Sequence, residues 1–111
     1  MDMQQVRNVP NAFIAEKLRE VADLLDQQGA TSFRVRAYRD AAAYIDKLKD
    51  PLGVIYDTDG RPGLEDLPTI GSSIASAIAE MLETGDLGLL GRLRGSADPE
   101  ALFQTVPMIG P

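Results

Sequence analysis

The apolar residues Ile14, Leu18, Val21 and Leu25 recur in steps of three and four, a spacing that lines one face of an α-helix. Lys17, Arg19 and Glu20 fall between them and are expected to face solvent. Asn11 is a candidate cap for the first turn, and Gly29 a candidate stop. The same period returns from Ser32 to Lys49. Here Ser32 would cap the helix, Tyr38, Ala41, Ile45 and Leu48 would face inward, and Phe33 would tuck in at the start. The alanines at 41, 42 and 43 let another helix approach closely. No segment alternates apolar and polar residues as a half-buried strand does. The pattern predicts an all-α chain, a compact bundle of four to six short helices.

Further along, Asp50-Pro51 suits the cap and first residue of a third helix ending at Ile55 or Tyr56. Residues 57–63, rich in Asp, Gly and Pro, predict a loop. Their likeness to a calcium loop fails, because the third acidic ligand and the glycine are out of place. A short helix around Leu64 to Asp66 leads to Leu67-Pro68-Thr69-Ile70-Gly71. Next comes a helix carrying Ile70, Ile74, Ile78 and Met81 or Leu82 on one stripe, closed by Thr84-Gly85. Leu87, Leu90 and Leu93 mark another, and Asp98-Pro99 opens a last one with Leu102 and Phe103 for the core. Residues 1–10 lack the period and are expected to be a flexible lead, with the domain proper over 11–105.

At 111 residues the chain fits one domain, and its 44% hydrophobic content supplies a core without staples. It has neither cysteine nor histidine, which removes zinc fingers, thiol chemistry and every histidine-based catalytic group. No run is apolar for the roughly 20 residues a membrane span needs, and no secretory signal opens the chain. A cytoplasmic monomer is the simplest expectation. The net charge of -6 is the wrong overall sign for a nucleic-acid binder. Phosphate contacts are local, however, and charges beyond about 10 Å are screened.

Leu67 to Gly71 is an apolar-Pro-x-Ile-Gly segment, and Val106-Pro107-Met108-Ile109-Gly110 repeats it just before the chain ends. The first copy precedes an amphipathic helix whose opening amides, from Gly71 to Ile74, have no partner within the helix. Such amides, with the positive end of the helix dipole, form an anion site that needs no charged side chain. Gly71 would let a phosphate approach the backbone, and Ser72 and Ser73 add hydroxyl donors. A plain helix-helix corner, with Pro and Gly present only for turn chemistry, explains the spacing equally well.

The order Asn11-x-x-Ile14-Ala15-x-x-Leu18, Phe33-Arg34-Val35-Arg36-Ala37-Tyr38-Arg39-x-Ala41-Ala42, the segment 67–71, Glu83-Thr84-Gly85 and Val106 to Pro111 resembles a known family. It is similar to the N-terminal helix-hairpin-helix domain of family X DNA polymerases of the bacterial type, and more distantly to the polymerase beta N-terminal domain. The resemblance implies a sequence-independent DNA-binding domain that grips the phosphate backbone, especially gapped DNA and 5′-phosphate ends. It also implies that the carbonyls of Leu67 and Ile70 hold a K+ or Na+ bridging to a phosphate. Residues 106–111 would then begin a truncated second hairpin, and the chain would be a fragment of a repair polymerase-like protein. Arg34 matches a basic phosphate contact and Tyr38 a tyrosine of the same pocket, with Arg36 and Arg39 beside them.

Several positions depart from the family pattern. The lyase lysine of some members is matched by Ala77, a phosphate-binding lysine by Ser73, and a basic residue by Glu65. No lysine follows Lys49, so deoxyribose-phosphate lyase chemistry, which needs an amine at the sugar, is not expected. Thr69 and Met108 replace the first glycine of each hairpin, which strains the turn if positive φ is required there. Two other readings stay open. The arginines could pair with Asp40, Glu20 or Asp23 while Tyr38 serves the core. Alternatively, the scaffold could be a protein-interaction module, favoured by an exposed apolar patch around Leu87, Leu89, Leu90 and Phe103.

Overall fold

A computed structural model describes residues 9–97, and among these every regular element is helical. The helices are α1 (Asn11–Gln27), α2 (Ser32–Lys47), α3 (Leu52–Glu65), α4 (Ser72–Thr84) and α5 (Gly88–Ala97). The expected last helix after Asp98 and the second hairpin at 106–111 lie outside the described residues, as do residues 1–8 of the expected lead. The described end of that lead is built into the fold: Val9 packs against the core and Pro10 occupies the cap position of α1.

The helices form because each carries an apolar stripe, and the stripes meet in one core. Ile14, Leu18, Val21 and Leu25 of α1 are buried, as the spacing predicts. They pack most extensively against Val35, Tyr38, Ala41, Ala42 and Ile45 of α2. The alanines keep that pair close. Gly29, at φ 82, ends α1: its own N–H bonds the Asp26 carbonyl and the Ala30 N–H bonds that of Leu25. α3 packs on α4, and α5 folds back onto α1. Polar ties cross between elements: Gln28 Nε2 donates to the Leu93 carbonyl at 2.8 Å, and the Tyr56 hydroxyl bonds Glu83.

The structure corrects four local expectations. Asn11 does not cap its own helix. Its Oδ1 accepts from the Leu52 N–H at 2.9 Å and its Nδ2 donates to the Asp50 carbonyl at 3.0 Å, so it caps α3 from across the fold. Thr31 rather than Ser32 caps α2, accepting from the Arg34 N–H at 3.3 Å. Phe33 is not tucked in but 83% exposed. Five positions before Tyr38, it lies well off the inner stripe, and Val35 fills that place instead.

Finally, residues 57–63 are not a loop. α3 runs to Glu65 and is interrupted only at Gly60, whose φ of 69 and ψ of -162 no β-branched residue would adopt easily. Pro62 then falls in the first turn of the resumed helix, where its missing N–H costs nothing. Leu64 is thereby fully buried and sets the start of the turn that follows.

Candidate nucleic-acid interface

The connection between α3 and α4 is a tight turn. The Ile70 N–H bonds the Leu67 carbonyl at 3.1 Å, with Pro68 second and Thr69 third in the turn. Thr69 has φ 67, and it is the described non-glycine residue with positive φ. Proline followed by positive φ is the type II pattern, in which the third position normally takes glycine. The turn therefore keeps its shape with threonine in the strained place. Buried Leu64 and Ile70 hold it from both sides.

Gly71 follows as the cap of α4, extended at φ -83 and ψ -177, with no side chain bonding the first turn. Its carbonyl accepts from the Ala75 N–H at 2.8 Å, which starts the helical ladder. That leaves the amides of Ser72, Ser73 and Ile74 without a helical acceptor. A methyl group at Gly71 would meet nothing within 4 Å, so the backbone there is open to approach. Ser72 and Ser73 are exposed, while Ile74 is buried and anchors the first turn. The four hairpin residues named from the sequence thus sit together, three facing solvent and one holding the helix down.

The flanks of the hairpin carry no cation to spare. Glu65 pairs with Arg61 at 3.4 Å, and Asp66 is exposed beside the turn. Ala77 is buried, and α4 has no basic residue. The Leu67 carbonyl already accepts one hydrogen bond, which leaves a single lone pair for any cation held there with the Ile70 carbonyl. Among the described residues, no group of three acidic or other metal-ligating side chains is arranged to hold a metal ion.

On α2 the four residues named from the sequence separate. Arg39 pairs with Asp23 at 3.1 Å and lies 3.9 Å from Asp26. Tyr38 is 5% exposed and belongs to the core packed between α1 and α2. Arg34 and Arg36 are exposed, and neither is ion-paired among the described residues. Arg36 and Arg39 line a shallow depression of about 330 Å³ with Asp26, Ser32, Val35 and Asp40. No hairpin residue lines it. Two features escaped the sequence reading. The Thr31 cap had the right residue type one position early, and the exposure of Phe33 followed from the helical period once Val35 is placed inside.

No described helix is long and apolar enough to cross a membrane. Leu87 and Leu90 are buried and Leu89 half-buried, so these residues form no exposed apolar patch. Phe103 lies outside the described residues. No curated protein matches the chain. A family model described as a helix-hairpin-helix domain matches residues 9–87, from Val9, which packs against the core ahead of α1, to Leu87, the residue before α5. With the turn at 67–70 and the open N-terminus of α4 inside that span, this chain belongs to the helix-hairpin-helix domain family, whose members generally bind nucleic acid.

Proposed function

We propose that this domain binds DNA through its phosphate backbone without reading sequence, using the hairpin at 67–71 as the anchor. The observation that carries the reading is the bare N-terminus of α4. Three amides lack helical acceptors, no side chain caps them, and the Gly71 surface is open. A phosphate oxygen placed there meets amide dipoles rather than lysines, which is how a chain of net charge -6 can hold an anion. Ser72 and Ser73 supply hydroxyl donors, and Arg34 and Arg36 supply charge at the start of α2. Arg39 contributes less because Asp23 and Asp26 already neutralise it. Tyr38 acts by packing α2 against α1 and so setting the position of those arginines.

The likeness to the N-terminal domain of family X DNA polymerases supports gapped DNA and 5′-phosphate ends as preferred partners, with K+ or Na+ at the Leu67 and Ile70 carbonyls. Contact with two to four phosphates gives a log–log salt slope of roughly -2 to -4. Fluorescence anisotropy with labelled gapped DNA carrying a 5′-phosphate tests the reading, beside intact duplex and single-strand controls. Saturable binding should appear at low KCl. Gly71→Glu should weaken it at least about tenfold, because the new carboxylate takes the place of the phosphate. Full affinity in Gly71→Glu would remove the hairpin from the interface.

A further inference from the structure

We propose that Gly60 and Gly63 are positioning residues for the hairpin, together fixing the angle at which α3 delivers it. The inference rests on the nucleic-acid reading above and concerns how the α4 N-terminus is aimed. α3 is two helical pieces that meet at Gly60, whose φ of 69 and ψ of -162 lie where L-residues with a side chain are essentially not found. The bend has to fall near this point. A helix running straight through would drive the Pro62 ring into the Thr58 carbonyl and leave that carbonyl without its donor. Gly63 then decides how closely the second piece folds against the first. It is buried, and a Cβ there would lie 2.5 Å from Asp59 Cβ and 3.3 Å from Ile55 Cγ2. Asp59 Cβ is the root of its side chain and cannot swing aside, so a methyl group at 63 would push the two pieces apart.

From the bend to the site the chain is tied at every step. The Pro62 carbonyl accepts from the Asp66 N–H at 3.0 Å, the Leu64 carbonyl from the Leu67 N–H at 3.1 Å, and the Leu67 carbonyl from the Ile70 N–H at 3.1 Å. Arg61 pairs with Glu65 over the same stretch, and buried Leu64 and Ile70 fasten it to the core. This relay carries the angle set at Gly60 to Gly71, the cap of α4. Direction matters more to amides than to lysines. An N–H bond weakens steeply as it leaves linearity, whereas a flexible ammonium follows its phosphate. With no basic residue on α4, a misaimed first turn has nothing to compensate it.

The handedness of the bend supplies the test. These angles are for a D-residue what polyproline II geometry is for an L-residue, so D-alanine fits position 60 and L-alanine does not. The whole chain of 111 residues, with either form at 60, is within reach of chemical synthesis and ligation. Gly60→Ala and Gly63→Ala should each weaken duplex DNA binding about tenfold by anisotropy, the loss of one good hydrogen bond to a charged group. They should also displace the amide NMR resonances of residues 69–74, at temperatures where circular dichroism shows native helix content. D-alanine in place of Gly60 should keep affinity and resonances at wild-type values. It should raise the melting temperature by roughly a few degrees, because the unfolded chain loses freedom. Wild-type affinity in folded Gly60→Ala would overturn the proposal, and so would a tenfold loss with D-alanine. If Gly60→Ala does not fold, Gly63→Ala and the D-alanine protein decide by the same criteria. If the wild type binds no DNA, or binds in a way that Gly71→Glu leaves untouched, the hairpin reading fails and the resonances decide alone. Displacement by L-alanine but not by D-alanine then supports the positioning role, and unmoved resonances overturn it.

Discussion

The N-termini of α2 and α4 face the same physical problem and solve it differently. Each helix begins with amides that have no acceptor inside the helix. In α2 the Thr31 hydroxyl accepts one of them, from Arg34, and the end is partly satisfied within the chain. In α4 the cap is Gly71, with no side chain to reach back. α3 offers a third solution, since Asn11 caps it from a helix 41 residues earlier in sequence. A helix start that the fold does not satisfy is solvated, and it becomes available to an anionic ligand at small cost. The hairpin keeps its site open by omission. Ser, Thr, Asn or Asp at 71 would make a better helix and a poorer phosphate site.

Substitutions at these three caps and at the turn should separate the two kinds of helix start. Asn11→Ala should have the largest effect on stability, about 2 kcal/mol in denaturant melts, because it strands the Leu52 N–H and the Asp50 carbonyl together. A loss below about 0.5 kcal/mol would mean that water replaces both bonds. Thr31→Ala should cost about 1 kcal/mol and leave DNA affinity unchanged, since the Thr31 hydroxyl serves only to accept the Arg34 N–H within the fold. Thr69→Gly should go the other way, raising stability by about 0.5–1 kcal/mol as the positive-φ strain is relieved against the added backbone entropy. Unchanged thermal stability would show the turn relaxing without help. Smallest in stability is Gly71→Asp, expected to add a few tenths of a kcal/mol while lowering DNA affinity. If it raised stability and affinity together, the idea that capping competes with phosphate would be broken.

Charge follows a similar division. Arg94 is held by Glu20, Arg19 by Asp46 at 2.7 Å and Arg61 by Glu65, so much of the basic content is spent inside the domain. These exposed pairs each contribute at most about 1 kcal/mol. Their larger consequence is to narrow the accessible positive charge. Arg34 and Arg36 at the start of α2 remain free of described carboxylates, beside the exposed ring of Phe33.

The sequence alone determined the helical class, because the three-and-four spacing of Ile14, Leu18, Val21 and Leu25 admits only one buried face. It also determined where the hairpin lies, since Pro68, Gly71 and the isoleucine stripe after them are local signals with local causes. The strain at Thr69 was legible for the same reason: a β-branched residue stands where the turn demands positive φ. Which polar groups serve the fold and which stay free depends on how the helices pack. Asn11 has the residue type of a cap, but only the approach of α1 to α3 shows whose cap it is. Arg39 and Arg36 are alike in sequence, and the position of Asp23 on the neighbouring helix separates them. Helical period depends on neighbours a few residues apart, whereas the partner of a side chain is set by whichever helix packs beside it.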